Sequence, residues 1–318
     1  MKNKLITKHW FLLLLLPLLF ISATKKKKYK SMPQPQGFVY IPSGALNGHS
    51  VSAFWMSETE ITNAQYHLFL NDLIDSGYKE QYLLAYPDTA ALKIKQWIGW
   101  YKINYFTHPY FSECPVVHLT PKQAEIYCSW LTRKYRRQYP TIDYPTFRIP
   151  SLQEWQYAAR GGRWSGYFPW DGEYMRNSRG CLLANFFNID DKFIYFDSTF
   201  DNRYQSESYN NYYCNWNNGI EETNNLKTLH LLKKKKYVFY GLPLWADAYF
   251  PNDFGLYNMS GNAAEMVLVN DTARCVGGSY KKPGAYLRLD LLLDHHSKDK
   301  FPMEDVGFRV AVSYKRIN

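Results

Sequence analysis

Three runs of apolar residues recur at helical spacing in the first half of the chain, each preceded by a hydroxyl residue with Gln or Glu three positions later. Thr62 with Gln65 makes a capping box, in which each side chain satisfies an orphan amide of the first turn. Tyr66, Phe69, Leu70, Leu73 and Ile74 then mark one face, and Gly77 supplies the stop. A second helix opens with Thr120, Pro121 and Gln123, buries Ala124, Tyr127, Cys128 and Leu131, and must end before Pro140. The third starts at Ser151, takes Glu154 as its box partner and closes at Gly161. Short strand patterns stand at Phe38–Ile41, 52–56 and 307–314. Long polar, aromatic-rich segments separate these elements, so an α+β fold with much irregular chain is expected.

The amino terminus carries a different pattern. Lys2, Lys4 and Lys8 precede an apolar run over 10–21, and Ser22-Ala23 offers a small-residue cleavage site, which predicts a secretory signal cleaved after Ala23. A run of twelve residues is short of the roughly 20 that span a bilayer. An uncleaved anchor is the alternative, favoured by the lysines at 25, 26, 27 and 28. No cysteine stands near position 23, which argues against a bacterial lipoprotein anchor. The expected organisation is a signal at 1–23, a basic linker at 24–36 and one domain at 37–316, because the length suits a single domain and no linker interrupts it. Segments 83–111 and 189–236, rich in Asn, Tyr and Asp, read as insertions that form surface loops or partner-binding arms.

Several blocks stand one after another along the chain: Phe38-Val39-Tyr40-Ile41-Pro42-Ser43-Gly44, Met56-Ser57-Glu58-Thr59-Glu60-Ile61-Thr62-Asn63, Pro115-Val116-Val117-His118, and Phe147-Arg148-Ile149-Pro150-Ser151 running on to Gly161-Gly162. Pro169-Trp170, Gly255-Leu256-Tyr257-Asn258-Met259-Ser260-Gly261-Asn262, Gly277-Gly278-Ser279 and Gly307-Phe308-Arg309-Val310-Ala311 follow. Together they resemble the sulfatase-modifying, formylglycine-generating enzyme family. The resemblance implies its α+β sulfatase-modifying-factor fold, which is C-type-lectin-like.

The chain departs from that family where its chemistry resides. The family's Gly-Gly-Ser strand continues with a cysteine three residues after the serine and a second five residues later, and here those places hold Lys282 and Leu287. Cu(I) is a soft ion that needs soft thiolates, so the resemblance implies no copper and no catalytic residue in this chain. The family's Trp-Glu-Trp is Ala264-Glu265-Met266, which keeps the glutamate and removes both indoles. Within the family, the 249–262 and 57–63 segments are most similar to the gliding-motility lipoproteins K and J of Bacteroidota, which lack the cysteine pair. That branch implies a non-catalytic structural or interaction protein of the cell envelope, exported to the periplasm or the outer membrane, with proteins of a type IX secretion or gliding assembly as partners. The alternative is an enzyme with altered chemistry, such as a non-haem iron oxidoreductase. It would need two histidines and a carboxylate around open positions, and no His-x-x-x-His spacing is present.

The resemblance also implies a structural calcium ion, held by Asn258, Gly261, Ala263 and Glu265, whose spacing matches the family's ligand pattern. Hard oxygen donors from a tight turn plus a carboxylate suit calcium, although hydrogen bonds alone could hold the same turn. A second family calcium site would begin at Ala184-Asn185, but its later aspartate is replaced near Lys236, Tyr237 and Val238. Asp294, His295 and His296 read as a solvated loop. Charge adds little: the formal +10 becomes +7 without Lys2, Lys4 and Lys8, and much of the excess sits at 25–30 and 233–236. Such runs suit an anionic membrane surface or an acidic protein; no groove-reading motif supports nucleic acid. The five cysteines, at 114, 128, 181, 214 and 275, leave at least one unpaired within a monomer, and no spacing suggests zinc.

Overall fold

The computed structural model describes residues 30–89, 93–94, 103–163, 165–187, 195–196, 212–213, 242–292, 301–314 and 316–317. α1 (Asn63–Asp75) opens where Gln65 N donates to Thr62 Oγ1 at 3.2 Å and Thr62 N donates back to Gln65 Oε1 at 3.0 Å. A short α2 (Lys79–Ala85) follows without a side-chain cap. α3 (Pro121–Gln138) begins at the box of Thr120 and Gln123 and stops short of Pro140, with Arg136 and Arg137 complementing the dipole of its last turn. α4 (Leu152–Ala159) begins at the box of Ser151 and Glu154. Arg148 closes that box with bonds of 2.7 and 2.6 Å to the two Glu154 oxygens. Burial alone would raise the Glu154 carboxyl, but Arg148 holds it below the usual carboxylate range. Each cap contributes about 1 kcal/mol.

Two sheets form the β layer. The larger has the order β1 (Phe38–Ile41), β4 (Phe54–Ser57), β9 (Ala311–Ser313), β5 (Phe147–Arg148), all antiparallel, with a small hairpin of β2 (Gly44–Leu46) and β3 (His49–Val51) between its first two strands in sequence. The smaller is β7 (Thr272–Val276), β6 (Ala264–Val269) and β8 (Val306–Gly307), with β8 parallel to β6. Asn270 and Asp271, both at positive φ, turn β6 into β7, as a two-residue hairpin of primed type requires.

The strand expected over 307–314 is instead broken. β8 belongs to the smaller sheet and β9 to the larger, so residues 308–310 cross between them with Phe308, Arg309 and Val310 all fully buried. Phe308 O accepts from Ile61 N at 3.0 Å and Val310 O from Ser57 N at 2.8 Å, which fastens the crossing to the chain between β4 and α1.

The main core lies between α1, α3 and the crossing, where Tyr127 stacks with Tyr66 at 5.8 Å and meets Phe69 and Phe308 edge-on at 5.3 and 5.4 Å. A second core packs Trp155 and Ala158 of α4 against Ile41, Met56 and Val267. Ile74, expected on the buried face of α1, is 47% exposed, because it lies one residue beyond the stripe that reaches the core. Tyr105, Phe106 and Phe111, within the segment read as a surface insertion, are buried in the main core. The signal 1–23, nearly all of 189–236, and Asp294, His295 and His296 lie outside the described residues. Among the described residues no helix is long and apolar enough to cross a membrane.

Candidate functional site

β7 runs into Gly277 and Gly278, both at positive φ. A Cβ on Gly278 would stand 2.8 Å from Tyr286 O, so only glycine lets the chain pass here. Ser279 follows, fully buried, and its hydroxyl donates to Asp305 Oδ2. The two positions that hold thiolates in the resembling family then diverge. The Lys282 ammonium lies 5.8 Å from the centroid of the Tyr286 ring. Leu287 is fully buried and joins an apolar cluster with Phe168, Leu182, Ala184 and Phe186. Neither side chain can ligate copper, so the residues present do not fit that ion. Ala264 and Met266, which stand where the family has indoles, are buried in the main core. Among the described residues no group of three or more His, Cys, Asp or Glu side chains is placed to hold a metal.

Beneath this strand lies a buried charge cluster. Glu265 on β6 receives Arg309 Nε on Oε2 and Arg309 Nη2 on Oε1, both at 2.6 Å, and Trp155 Nε1 also donates to Oε2 at 2.6 Å. Arg309 donates further to Ser57 O at 3.0 Å and Tyr257 O at 2.8 Å, which accounts for its complete burial. Glu60, also fully buried, accepts from Asn262 Nδ2 at 3.0 Å and Asn258 Nδ2 at 3.3 Å. Burial, and next the Glu265 carboxylate, push Glu60 up to about 8 against the opposing pull of Arg309. Glu60 is therefore mostly neutral at pH 7, and the buried guanidinium pairs with Glu265. Asn262 ties in a third segment, since its Oδ1 accepts from Leu244 N at 2.7 Å and Asn185 Nδ2 at 3.2 Å.

The residues assigned to calcium sit on the turn that carries this cluster. Asn258 has φ 49° and Gly261 φ 80°, and a Cβ on Gly261 would meet Asn185 O at 2.5 Å. Asn258 Nδ2 donates to Ala246 O at 2.9 Å, which leaves Oδ1 as the side-chain atom able to ligate. Ala263 is buried beside Glu265 and offers its carbonyl alone. Of the four lone pairs on Glu265, the donors from Arg309 and Trp155 take three. A calcium ion held at this turn would therefore take Glu265 as a one-oxygen ligand, not a two-oxygen one. At the second site, the Asn185 amide is directed to Leu242 O and Asn262 Oδ1, and the segment around Lys236 lies outside the described residues.

The outer side of the same turn forms part of the floor of a cleft of about 720 Å³, between residues 163–183 and 245–260. Trp170, Trp245, Tyr249 and Tyr257 contribute rings, and Ser260, whose hydroxyl donates to Leu287 O at 2.7 Å, joins the cleft to the apolar cluster. Reading the sequence for single ligands missed Glu60, Arg309, Trp155 and the cleft. One signal for Arg309 was available: it is the lone charge in the run from Val306 to Val312, and a cation amid apolar residues is normally buried and paired.

The model of the sulfatase-modifying factor enzyme 1-like domain matches residues 28–314. The chain is 34% identical over 74 residues to the inactive C-alpha-formylglycine-generating enzyme 2 of Mus musculus, which covers 23% of this chain and 20% of that protein. It is 22% identical over 237 residues to the formylglycine-generating enzyme of Bos taurus, covering 68% of this chain and 48% of the relative. The chain thus spans from a fifth to about half the length of these relatives. Among solved structures, PvdO from Pseudomonas aeruginosa aligns with 91% of this chain and 99% of its own at 15% identity and a TM-score of 0.46. Treponema denticola variable protein 1 aligns with 90% of this chain and 94% of its own, at 16% identity and a TM-score of 0.44. With the domain model running through all but the two ends of the chain, the protein belongs to the sulfatase-modifying factor enzyme 1-like family.

Proposed function

We propose that this chain is a non-catalytic member of its family, exported to the cell envelope, that works by binding within an assembly of the type IX secretion or gliding class. One observation carries the first half of that reading. Where the enzymes need a thiolate, Leu287 is sealed into an apolar cluster, so the position is filled with hydrocarbon. The 74-residue similarity to proteins named inactive formylglycine-generating enzyme 2 is compatible with such a role. The envelope assembly is supported by the apolar run at 10–21 and the resemblance to gliding-motility lipoproteins K and J. A calcium ion at Asn258, Gly261, Ala263 and Glu265 would be structural, adding positive charge beside the Glu265 carboxylate. The lysine runs would add attraction to an anionic membrane surface.

Incubation of the purified protein with a cysteine-containing sulfatase peptide, with and without Cu(I), tests the non-catalytic half by peptide mass. No formylglycine is expected, and copper-dependent conversion would overturn the reading. Crosslinking in intact cells tests the envelope half: recovery of secretion or gliding components supports it, and recovery of a sulfatase alone defeats it.

A further inference from the structure

We infer that the cleft between residues 163–183 and 245–260 is a binding site for a neutral oligosaccharide. Its volume, about 720 Å³, lies within the roughly 300–1,000 Å³ usual for small-molecule sites. The argument rests on what its walls leave unsatisfied. Tyr249 lines the cleft, and its hydroxyl is buried with no hydrogen-bond partner. Arg163 is paired with Asp253 at 2.9 Å through Nε and Nη2, while its Nη1 is buried and has no partner. Polar atoms of this kind are rarely left unpaired in a folded protein. On the acceptor side, the exposed carboxylates of Asp171 and Asp247 line the cleft.

The combination discriminates between ligand chemistries. An anion would suit Arg163 but would meet Asp171, Asp247 and Asp253 against Arg163 and Arg179, a lining of net charge −1. An apolar ligand would leave both orphan donors as unpaired as they are in the free protein. A hydroxyl both donates and accepts, so a polyhydroxyl ring can accept from the two buried donors and donate to the exposed carboxylates around one circumference. The aromatic wall supplies the other half of sugar recognition. Trp170 lines the cleft while Phe168, buried behind it, stacks against it at 5.1 Å and 3°. That places a braced, flat ring at the cleft wall. The negative π face of such a ring attracts the electron-poor C–H edge of a pyranose through its quadrupole. Trp170 Nε1 is already committed to Tyr174 O at 2.9 Å, so the indole offers its face and not its donor.

The inference rests on the reading of this chain as a binding subunit, and it fails separately from it. Formylglycine production would overturn that reading, whereas an absence of sugar binding in a protein that converts no peptide would overturn this one alone. The experiment is titration of the signal-free protein with chitotetraose, cellotetraose and maltotetraose, followed by calorimetry and by tryptophan fluorescence. At least one sugar should bind saturably. Trp170→Ala should weaken it by at least about tenfold through loss of the stacking face. Tyr249→Phe should weaken it by about tenfold while leaving the melting temperature unchanged or raised, because it deletes a hydroxyl that has no partner in the free protein. No binding of any of the three up to about 10 mM, or wild-type affinity in both variants, would overturn the proposal.

Discussion

Replacing Arg309 with methionine removes the cation that holds three segments together while keeping most of the side chain's length. The guanidinium is fully buried and makes two 2.6 Å bonds to Glu265, with further bonds to Ser57 O and Tyr257 O. Two estimates of the cost agree. Unit charges about 4 Å apart at an effective dielectric of 20 attract by about 4 kcal/mol, and breaking a buried pair by removing one partner costs about 3–5 kcal/mol. Glu60 is mostly neutral at pH 7 in the wild type; losing Glu265 removes one cause of that, so ionisation of Glu60 beside Arg309 should bring the Glu265→Gln loss toward the lower end of this range. We expect Arg309→Met and Glu265→Gln each to lose about 3–5 kcal/mol, and the double variant to lose clearly less than their sum, since no uncompensated charge remains in it. The assay is urea unfolding followed by tryptophan fluorescence, with Trp155 as a reporter at the site, in chelator so that the ion pair is measured without a bound cation. A single variant within about 1 kcal/mol of wild type, or additive losses, would refute the reasoning.

Glu60 makes stability depend on pH: between its ordinary value of 4.5 and about 8 the folded chain keeps a proton that the unfolded chain has released. Stability should therefore fall as pH rises through that window, by up to about 1.4 kcal/mol per unit from this group, and Glu60→Gln should remove that component of the urea-midpoint profile. An identical profile in the variant would show that Glu60 titrates normally. Chelation should lower the melting temperature, since an ion at a hundredfold excess over Kd adds about 2.7 kcal/mol; Glu265→Gln should abolish the calcium-dependent difference, although it also breaks the ion pair. Equal melting of wild type with and without chelator would mean that no cation is held. The two substituted thiolate positions should respond unequally: Leu287→Ala opens a cavity in its cluster and should cost about 2–5 kcal/mol, while Lys282→Ala should cost under about 1 kcal/mol. Comparable losses in denaturant titrations would contradict the packing described.

The helix starts were legible because their physics is local. Each capping box joins residues three apart, and Thr62, Thr120 and Ser151 all cap as read. The loss of the thiolate pair was legible for the same reason, as a matter of which residues stand at 282 and 287. What Leu287 does there was not, because its neighbours Phe168, Leu182, Ala184 and Phe186 lie about a hundred residues away in sequence. Glu58 and Glu60 are two residues apart and look alike in the chain, yet only Glu60 is fully buried. Its partners Asn258 and Asn262 stand 198 and 202 residues further on. Arg309 acquires its role only because the chain leaves one sheet after Gly307 and enters another at Ala311, carrying a cation through the interior to a carboxylate 44 residues earlier. Sequence by itself determined the capped helix starts, the family and the missing thiolates, since propensity, capping and residue identity act over a few positions. Tertiary structure alone decided which carboxyls are buried, which one is pushed toward its neutral form and where a cleft opens, because desolvation and pairing depend on neighbours that only the folded chain brings within a few ångströms.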